Sequence, residues 1–273
     1  MRKNIILKIL LIICLITMLY SLLSIIKWEK DNRNSNNLLD ELNNIYQEDI
    51  IESSNEVSFV FINPYKEDKN SLYWYYVAMD MLNIKFDNLV QKNNHTIGWI
   101  YVPGTEINYP FVQYKDNKYY LNHSFDKSIN DAGWIYLDYR NDLNNLSRNN
   151  IIYGHARLDK TMFGSLKNTL KKKWYNDKDN HIVKISTQNE NTLWQIFSIY
   201  HIKTDPYYIT VNFTDKEFQK YINTSLEKSI YKFDATVGID DKILTLSTCY
   251  GENEKLILHA KLIKKEIKNN QSS

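Results

Sequence analysis

Glycine is scarce in this chain, with seven in 273 residues. None falls into G-x-G-x-x-G, a P-loop or a G-x-S-x-G elbow, so the sequence offers no nucleotide cradle and no serine-hydrolase turn. Cysteine is scarcer still, and the two present, Cys14 and Cys249, are too few for a disulfide framework. Cys14 lies in an N-terminal apolar run, sequestered from Cys249, which is therefore expected to be a free thiol. No pair of cysteines or histidines has zinc-ligand spacing, so neither metal nor cofactor is implied. A charge excess of one sign is also missing: the formal charge is +2, and the lysines are scattered among acids and asparagines. Without a basic stripe there is no electrostatic case for nucleic acid.

What is present is enough apolar material for one good core, at 43% hydrophobic and 24% charged. Ile9 to Ile26 is 18 residues without a charge, roughly 27 Å of helix at about 1.5 Å per residue. The run is longer than a signal-peptide core and ends in Ile25, Ile26, Lys27 and Trp28 with no small-x-small cleavage site, so residues 1–27 read as an uncleaved anchor inserted through residues 5–26. Arg2, Lys3 and Lys8 on one side are matched by Lys27, Lys30 and Arg33 on the other, and charge leaves the orientation open. Residues 28–70 read as a polar stalk with a short amphipathic helix at Leu38, Leu39, Leu42 and Ile45. Residues 71–268 read as the folded domain, and 269–273 as a polar tail.

The domain opens with a helical pattern from about Ser71 to Gln91, carried by Leu72, Tyr76, Met79, Leu82, Phe86 and Val90. From Thr96 the texture changes to eight β-rich runs, beginning at "IGWIYV" and ending with "KILTLSTC" and "KLILHAKLI". Eight such runs predict a mainly β domain with a closed or nearly closed sheet. Two helical segments interrupt them, "TMFGSLKNTLKKKWY" and "TDKEFQKYINTSLEKSI", the second opening with Thr214 and Glu217 at capping-box spacing.

In "ILTLSTCYGENEKLILHAKL", alternation puts Leu244, Leu246 and Thr248 on one face of a strand and Thr245, Ser247 and Cys249 on the other. A lone thiol there is either an inert, packed cysteine or a nucleophile, and a nucleophile needs a base or an imidazolium within reach. His155, in "NNIIYGHARLDKTMFGSL", follows the apolar run Ile151 to Tyr153 at another strand end, where loops display site residues. His259 and His201 fall inside strands, His181 and His95 in polar runs, and His123 in "YYLNHSF" is the main competitor.

"TLSTC" together with "IIYGH" and "MFGSL" resembles the sortase family, specifically class B sortases. The likeness runs from about Asn83 to Lys265 and includes "IGWIYVPGTEINYPFVQYKDNKYYLNHSF", "AGWIYLDYRND" and "KSIYKFDATVGIDDKILTLSTC" in order. It implies an eight-stranded β-barrel with flanking helices behind a membrane helix and stalk. The implied activity is that of a cysteine transpeptidase of Gram-positive bacteria. Such an enzyme cuts a cell-wall sorting signal on a secreted protein and joins the new carboxyl end to an amino group of peptidoglycan or its lipid-linked precursor. The resemblance also places the domain outside the cell membrane on a single span. Cys249 matches the nucleophile and His155 the catalytic histidine. Slow turnover is expected if only a fraction of the enzyme holds thiolate and imidazolium together.

The chain departs from the family where the strand after the cysteine begins, because Lys255 stands in place of an arginine and no arginine follows Arg157. Lysine supplies a point charge without the guanidinium fork. Either Lys255 serves the oxyanion, the favoured reading, or Arg157 or a backbone N–H does. Only five residues separate Cys249 from Lys255, and Gly251 can make the turn. By resemblance, Thr204, Tyr208 and Ile209 in "HIKTDPYYITVNF" line the peptide groove, and Ser247, beside Cys249, contacts the substrate backbone. Two alternatives stand beside this reading: a pilin-polymerising sortase, and a membrane-tethered binding module that has lost turnover through the change at Lys255.

Overall fold

The computed structural model describes residues 2–49, 58–203, 205–251 and 253–268. The polar tail 269–273 and Thr204 lie outside the described residues, as does the stretch 50–57 of the stalk segment.

The segment read as an anchor and the helix read in the stalk form one helix, α1 (Arg2–Asp49). No glycine or proline occurs before Pro64, so nothing in the sequence breaks it where the polarity changes. Its first half carries an 18-residue window of mean hydropathy 2.8 that touches nothing else in the protein. Its second half docks on the domain, burying Leu38, Leu39 and Leu42 in the main core. Ser58–Phe61, within the segment read as stalk, forms β1.

The helix expected from Ser71 to Gln91 is two short ones, α2 (Leu72–Val77) and α3 (Asp87–Lys92). The reason lies in where its apolar residues go. Tyr73, Tyr76 and Val77 pack with Ile182, Leu193 and Ile263 in one cluster, while Leu82, Ile84, Phe86 and Leu89 enter the main core. A straight helix cannot serve both. Between them the Ile84 N–H donates to Ser186 Oγ at 3.1 Å.

The eight β-rich runs become β2 (Thr96–Tyr101), β3 (Asn108–Val112), β4 (Tyr136–Leu137), β5 (Asn149–Tyr153), β6 (Ile182–Ser186), β7 (Glu190–Lys203), β8 (Ile243–Tyr250) and β9 (Glu254–Ile267). Pairing runs β9-β7-β6-β2-β3-β4-β5-β8 and returns to β9, which closes an eight-stranded barrel. Closure leaves no free edge among these strands. β1 lies outside the ring, paired with the far end of β9 at Lys264 to Ile267, beyond the reach of β8. The first interrupting segment is a 3-10 turn, Gly164–Leu170, followed by α4 (Lys172–Asn176). The second is α5 (Asp215–Lys228), whose Thr214–Glu217 capping box is fully formed. It packs Phe218, Tyr221 and Ile222 against Phe197 and Ile243.

Candidate active site

β8 occupies the centre of the site because it has a parallel neighbour on one side, β5, and an antiparallel one on the other, β9. From Ile243 to Thr248 every residue is buried; Cys249, the next one, is exposed and free. Exposure at the end of a buried strand means that Cys249 is not a thiol packed into the core.

The hairpin between β8 and β9 sets Cys249 directly opposite Lys255, with Tyr250 opposite Glu254. Gly251 makes the turn at a φ of 66°, a left-handed conformation that glycine adopts without strain. Across the pair the Lys255 ammonium donates to Cys249 Sγ at 3.0 Å. Arg157 is engaged elsewhere: its guanidinium is bound to Asp159, to Thr161 Oγ1 at 3.0 Å and to Asn32 of α1. The cation at the thiol is the lysine.

On the other side, the last parallel pair of β5 and β8 is Tyr153 with Ser247. Continued two residues along both strands, that register reaches His155 and Cys249. The strand ends are tied by Gly154 N–H to the Ser247 carbonyl at 3.3 Å and by Thr248 Oγ1 to the Gly154 carbonyl at 2.7 Å. His155 Nε2 lies 2.8 Å from the Leu121 carbonyl, which can only accept, so Nε2 carries the proton and Nδ1 is left to exchange one. The ring lies against Gly133, where a Cβ would come within 2.8 Å of it.

The other histidines have structural partners. His259, fully buried, sits between Thr245 Oγ1 at 2.9 Å and Tyr200 OH at 2.8 Å, and desolvation pushes its pKa down to about 3. His123 stacks on Tyr119 and bonds its carbonyl at 2.8 Å. His181 bonds the Tyr175 carbonyl, His201 pairs with Glu254, and His95 meets Tyr120 OH.

Of the groove residues, Tyr208 and Ile209 lie in a 3-10 turn, Pro206–Ile209, that follows β7. Tyr208 is buried beside the thiol; burial raises its phenol, opposed by a hydrogen bond with Ser247 and by the charge of Lys255. Ile209 is partly exposed, and Ser247 is buried between Tyr153 and Ile257. Sequence reasoning missed Tyr136, whose phenol feels Cys249 and is raised mainly by burial. Its pairing with Tyr153 across β4 and β5 puts it there, and a two-residue strand leaves almost no alternation from which to read that. Among the described residues no group of His, Cys, Asp and Glu could hold a metal ion. The arrangement is that of covalent thiol chemistry: a solvent-facing sulfur, a cation on it, and an imidazole on the adjoining strand end.

The Sortase domain family model matches residues 100–263. Sortase B of Staphylococcus aureus is 37% identical over 185 residues, covering 66% of this chain and 75% of that protein. Sortase B of Listeria monocytogenes is 35% identical over 187 residues, covering 65% and 74%. Among solved structures, sortase B from Bacillus anthracis in complex with AAEK1 aligns at a TM-score of 0.69 and 34% identity, over 86% of this chain and 99% of that one. The Staphylococcus aureus sortase B–substrate complex aligns at 0.61 and 36%, over 66% and 84%. With the family match running from the end of β2 into β9 and the relatives agreeing in sequence and in fold, this chain belongs to the sortase family of cysteine transpeptidases, alongside the class B sortases.

Proposed function

We propose that this protein is a membrane-anchored sortase that cleaves a cell-wall sorting signal on a secreted protein and transfers the product to an amino group of peptidoglycan or its lipid-linked precursor. Cys249 Sγ attacks the carbonyl carbon of the scissile peptide bond while Lys255, already at the sulfur, faces the charge that develops on the oxygen. The C–N bond then breaks, and protonated His155 gives its proton to the departing amine. The acyl group is held as a thioester. An incoming amine gives a proton to His155 and attacks that thioester, forming a new amide and releasing the Cys249 thiolate. Thr204, Tyr208, Ile209 and Ser247 are assigned to the peptide groove. The anchor is α1, with the barrel on the extracytoplasmic side.

The observation that carries the reading is the 3.0 Å contact from Lys255 to an exposed Cys249, on a strand whose last parallel pair with β5, Tyr153 with Ser247, lies two residues short of His155 and Cys249. Incubating the protein with a sorting-motif peptide library and an amine tests it: mass spectrometry is expected to find an acyl adduct on Cys249 and an amide product, with neither formed by Cys249→Ala. Turnover near wild type in Cys249→Ala would end the mechanism, and a peptide that binds without forming an adduct would favour the binding-module reading.

A further inference from the structure

The turn Pro206–Ile209 is held by an arrangement that its own sequence does not suggest. Three consecutive carbonyls are captured by side chains from elsewhere in the barrel. Asn149 Nδ2 donates to the Tyr208 carbonyl at 3.0 Å and to the Thr210 carbonyl at 2.9 Å, and Arg140 Nη2 donates to the Ile209 carbonyl at 2.9 Å. Both donors are themselves fixed. Asn149 is fully buried and its Oδ1 accepts from Thr245 Oγ1 at 2.6 Å, which in turn meets His259. Arg140 forks onto Asp138, with Nε at 2.8 Å from Oδ1 and Nη2 at 2.7 Å from Oδ2. Asp138 is fully buried and also accepts from Tyr153 OH at 2.9 Å and Asn117 Nδ2 at 3.0 Å. Burial raises that carboxyl, but the Arg140 and Tyr153 bonds outweigh it and keep the group below the ordinary carboxylate range.

A buried carboxylate is costly to keep charged unless it is paired and hydrogen-bonded, and here the Nη2 that pairs with it also donates to the Ile209 carbonyl. Tyr153, the last residue of β5, ties the same carboxylate to the strand that leads into His155 two residues later. One charged pair therefore spans the end of the histidine's strand and the turn that carries Tyr208 and Ile209.

We propose that Arg140, braced by Asp138 and acting with Asn149, is a positioning residue for peptide recognition: it fixes the backbone of Tyr208 to Thr210 as one wall of the groove beside Cys249. The proposal rests on the sorting-signal reading given above. It assigns Arg140 to substrate binding, not to the bond-breaking step, because its contacts are to a backbone carbonyl and a carboxylate.

The test uses the full-length chain in detergent, as wild type, Arg140→Gln, Arg140→Lys and the pair Asp138→Asn/Arg140→Gln, which leaves no unpaired buried carboxylate if the single change fails to fold. With a cleavable sorting-signal peptide, the peptide KM of Arg140→Gln and of the pair is expected to rise roughly tenfold, the factor that about 1.4 kcal/mol represents. kcat is expected to stay within about threefold of wild type, and the KM for the acceptor amine and the rate of Cys249 alkylation by iodoacetamide are expected not to move. Arg140→Lys should fall between, since one ammonium can serve Asp138 or Ile209 but not both with a fork. An unchanged peptide KM in the pair, or a loss confined to kcat, overturns the proposal. Hydrogen exchange needs no turnover: amides from Tyr208 to Val211 should exchange at least about tenfold faster in the variants while β8 is unaffected, and equal exchange also overturns it. Wild-type protein that turns over no peptide would instead overturn the sorting-signal reading, leaving the exchange experiment to decide the clamp.

Discussion

An ammonium 3.0 Å from the Cys249 sulfur brings one point charge to it, where a guanidinium would bring a planar fork. The geometry explains how a lysine reaches the sulfur here. Because Cys249 and Lys255 are direct partners across a tight hairpin, the side chain needs only to reach across the ladder. Lys255→Ala is expected to lower kcat by about 10²- to 10³-fold, the usual loss for one oxyanion donor. Lys255→Arg is expected to leave activity flat or lower it, since the longer head must fold back over its own partner; a rise in kcat/KM would mean that lysine is a weakened substitute. His155→Ala should cost about 10²- to 10⁴-fold, the range of acid–base catalysis, whereas His123→Ala, whose ring is stacked on Tyr119, should cost little. Measured turnover with a sorting-signal peptide checks both, and the reverse ranking would reassign the base. Cys249 and His155 could be singled out in the sequence because each follows an apolar run, where the alternation pattern stops, whereas Lys255 was singled out only by its match to a family arginine. Tyr136, Arg140 and Asn149 could not, since what they do depends on partners 17 to 69 positions away.

At the level of elements, periodicity served best where one element faces one core. The eight strands were legible for that reason, and so was α5, whose capping box is written in Thr214 and Glu217. Thr214→Ala removes the oxygen that satisfies the Glu217 N–H and is expected to cost about 0.5–2 kcal/mol in a urea titration, with the acylation rate unchanged. Where one stretch faces two clusters, as from Ser71 to Gln91, the same periodicity suggested a single helix that the packing divides. β1 escaped notice because four residues, paired on one side only, carry too short a pattern to separate from a polar linker.

For the molecule as a whole, acid is the condition its interior tolerates least. His259 is buried as the neutral imidazole among Tyr200, Tyr221 and Thr245, with its pKa pushed down to about 3 from 6.5. The unfolded chain therefore binds a proton that the folded one refuses. Stability from this group is whole above pH 6.5 and is lost as pH falls toward 3, at up to about 1.4 kcal/mol per pH unit. Burial also lowers His95 and His181, which adds to the same trend. Urea melts between pH 7.5 and 4.5 should show this loss, and His259→Gln should flatten part of it; a wild-type curve that is level across that window would contradict the neutral assignment.

The unbroken α1 has one more consequence. Lys27, the first residue past the apolar run, already reaches Asp131 at 2.5 Å, and Asn130 Nδ2 bonds the Asp31 carbonyl at 3.1 Å within the next turn. No hinge separates the greasy half of the helix from the half that grips the barrel, so the helix works as a ruler and not as a leash. Were Ile9–Ile26 to span a bilayer, the thiol would sit at one fixed altitude, and seven residues inserted after Ile26 would raise it by about 10 Å at about 1.5 Å per residue without turning the gripping face far out of phase.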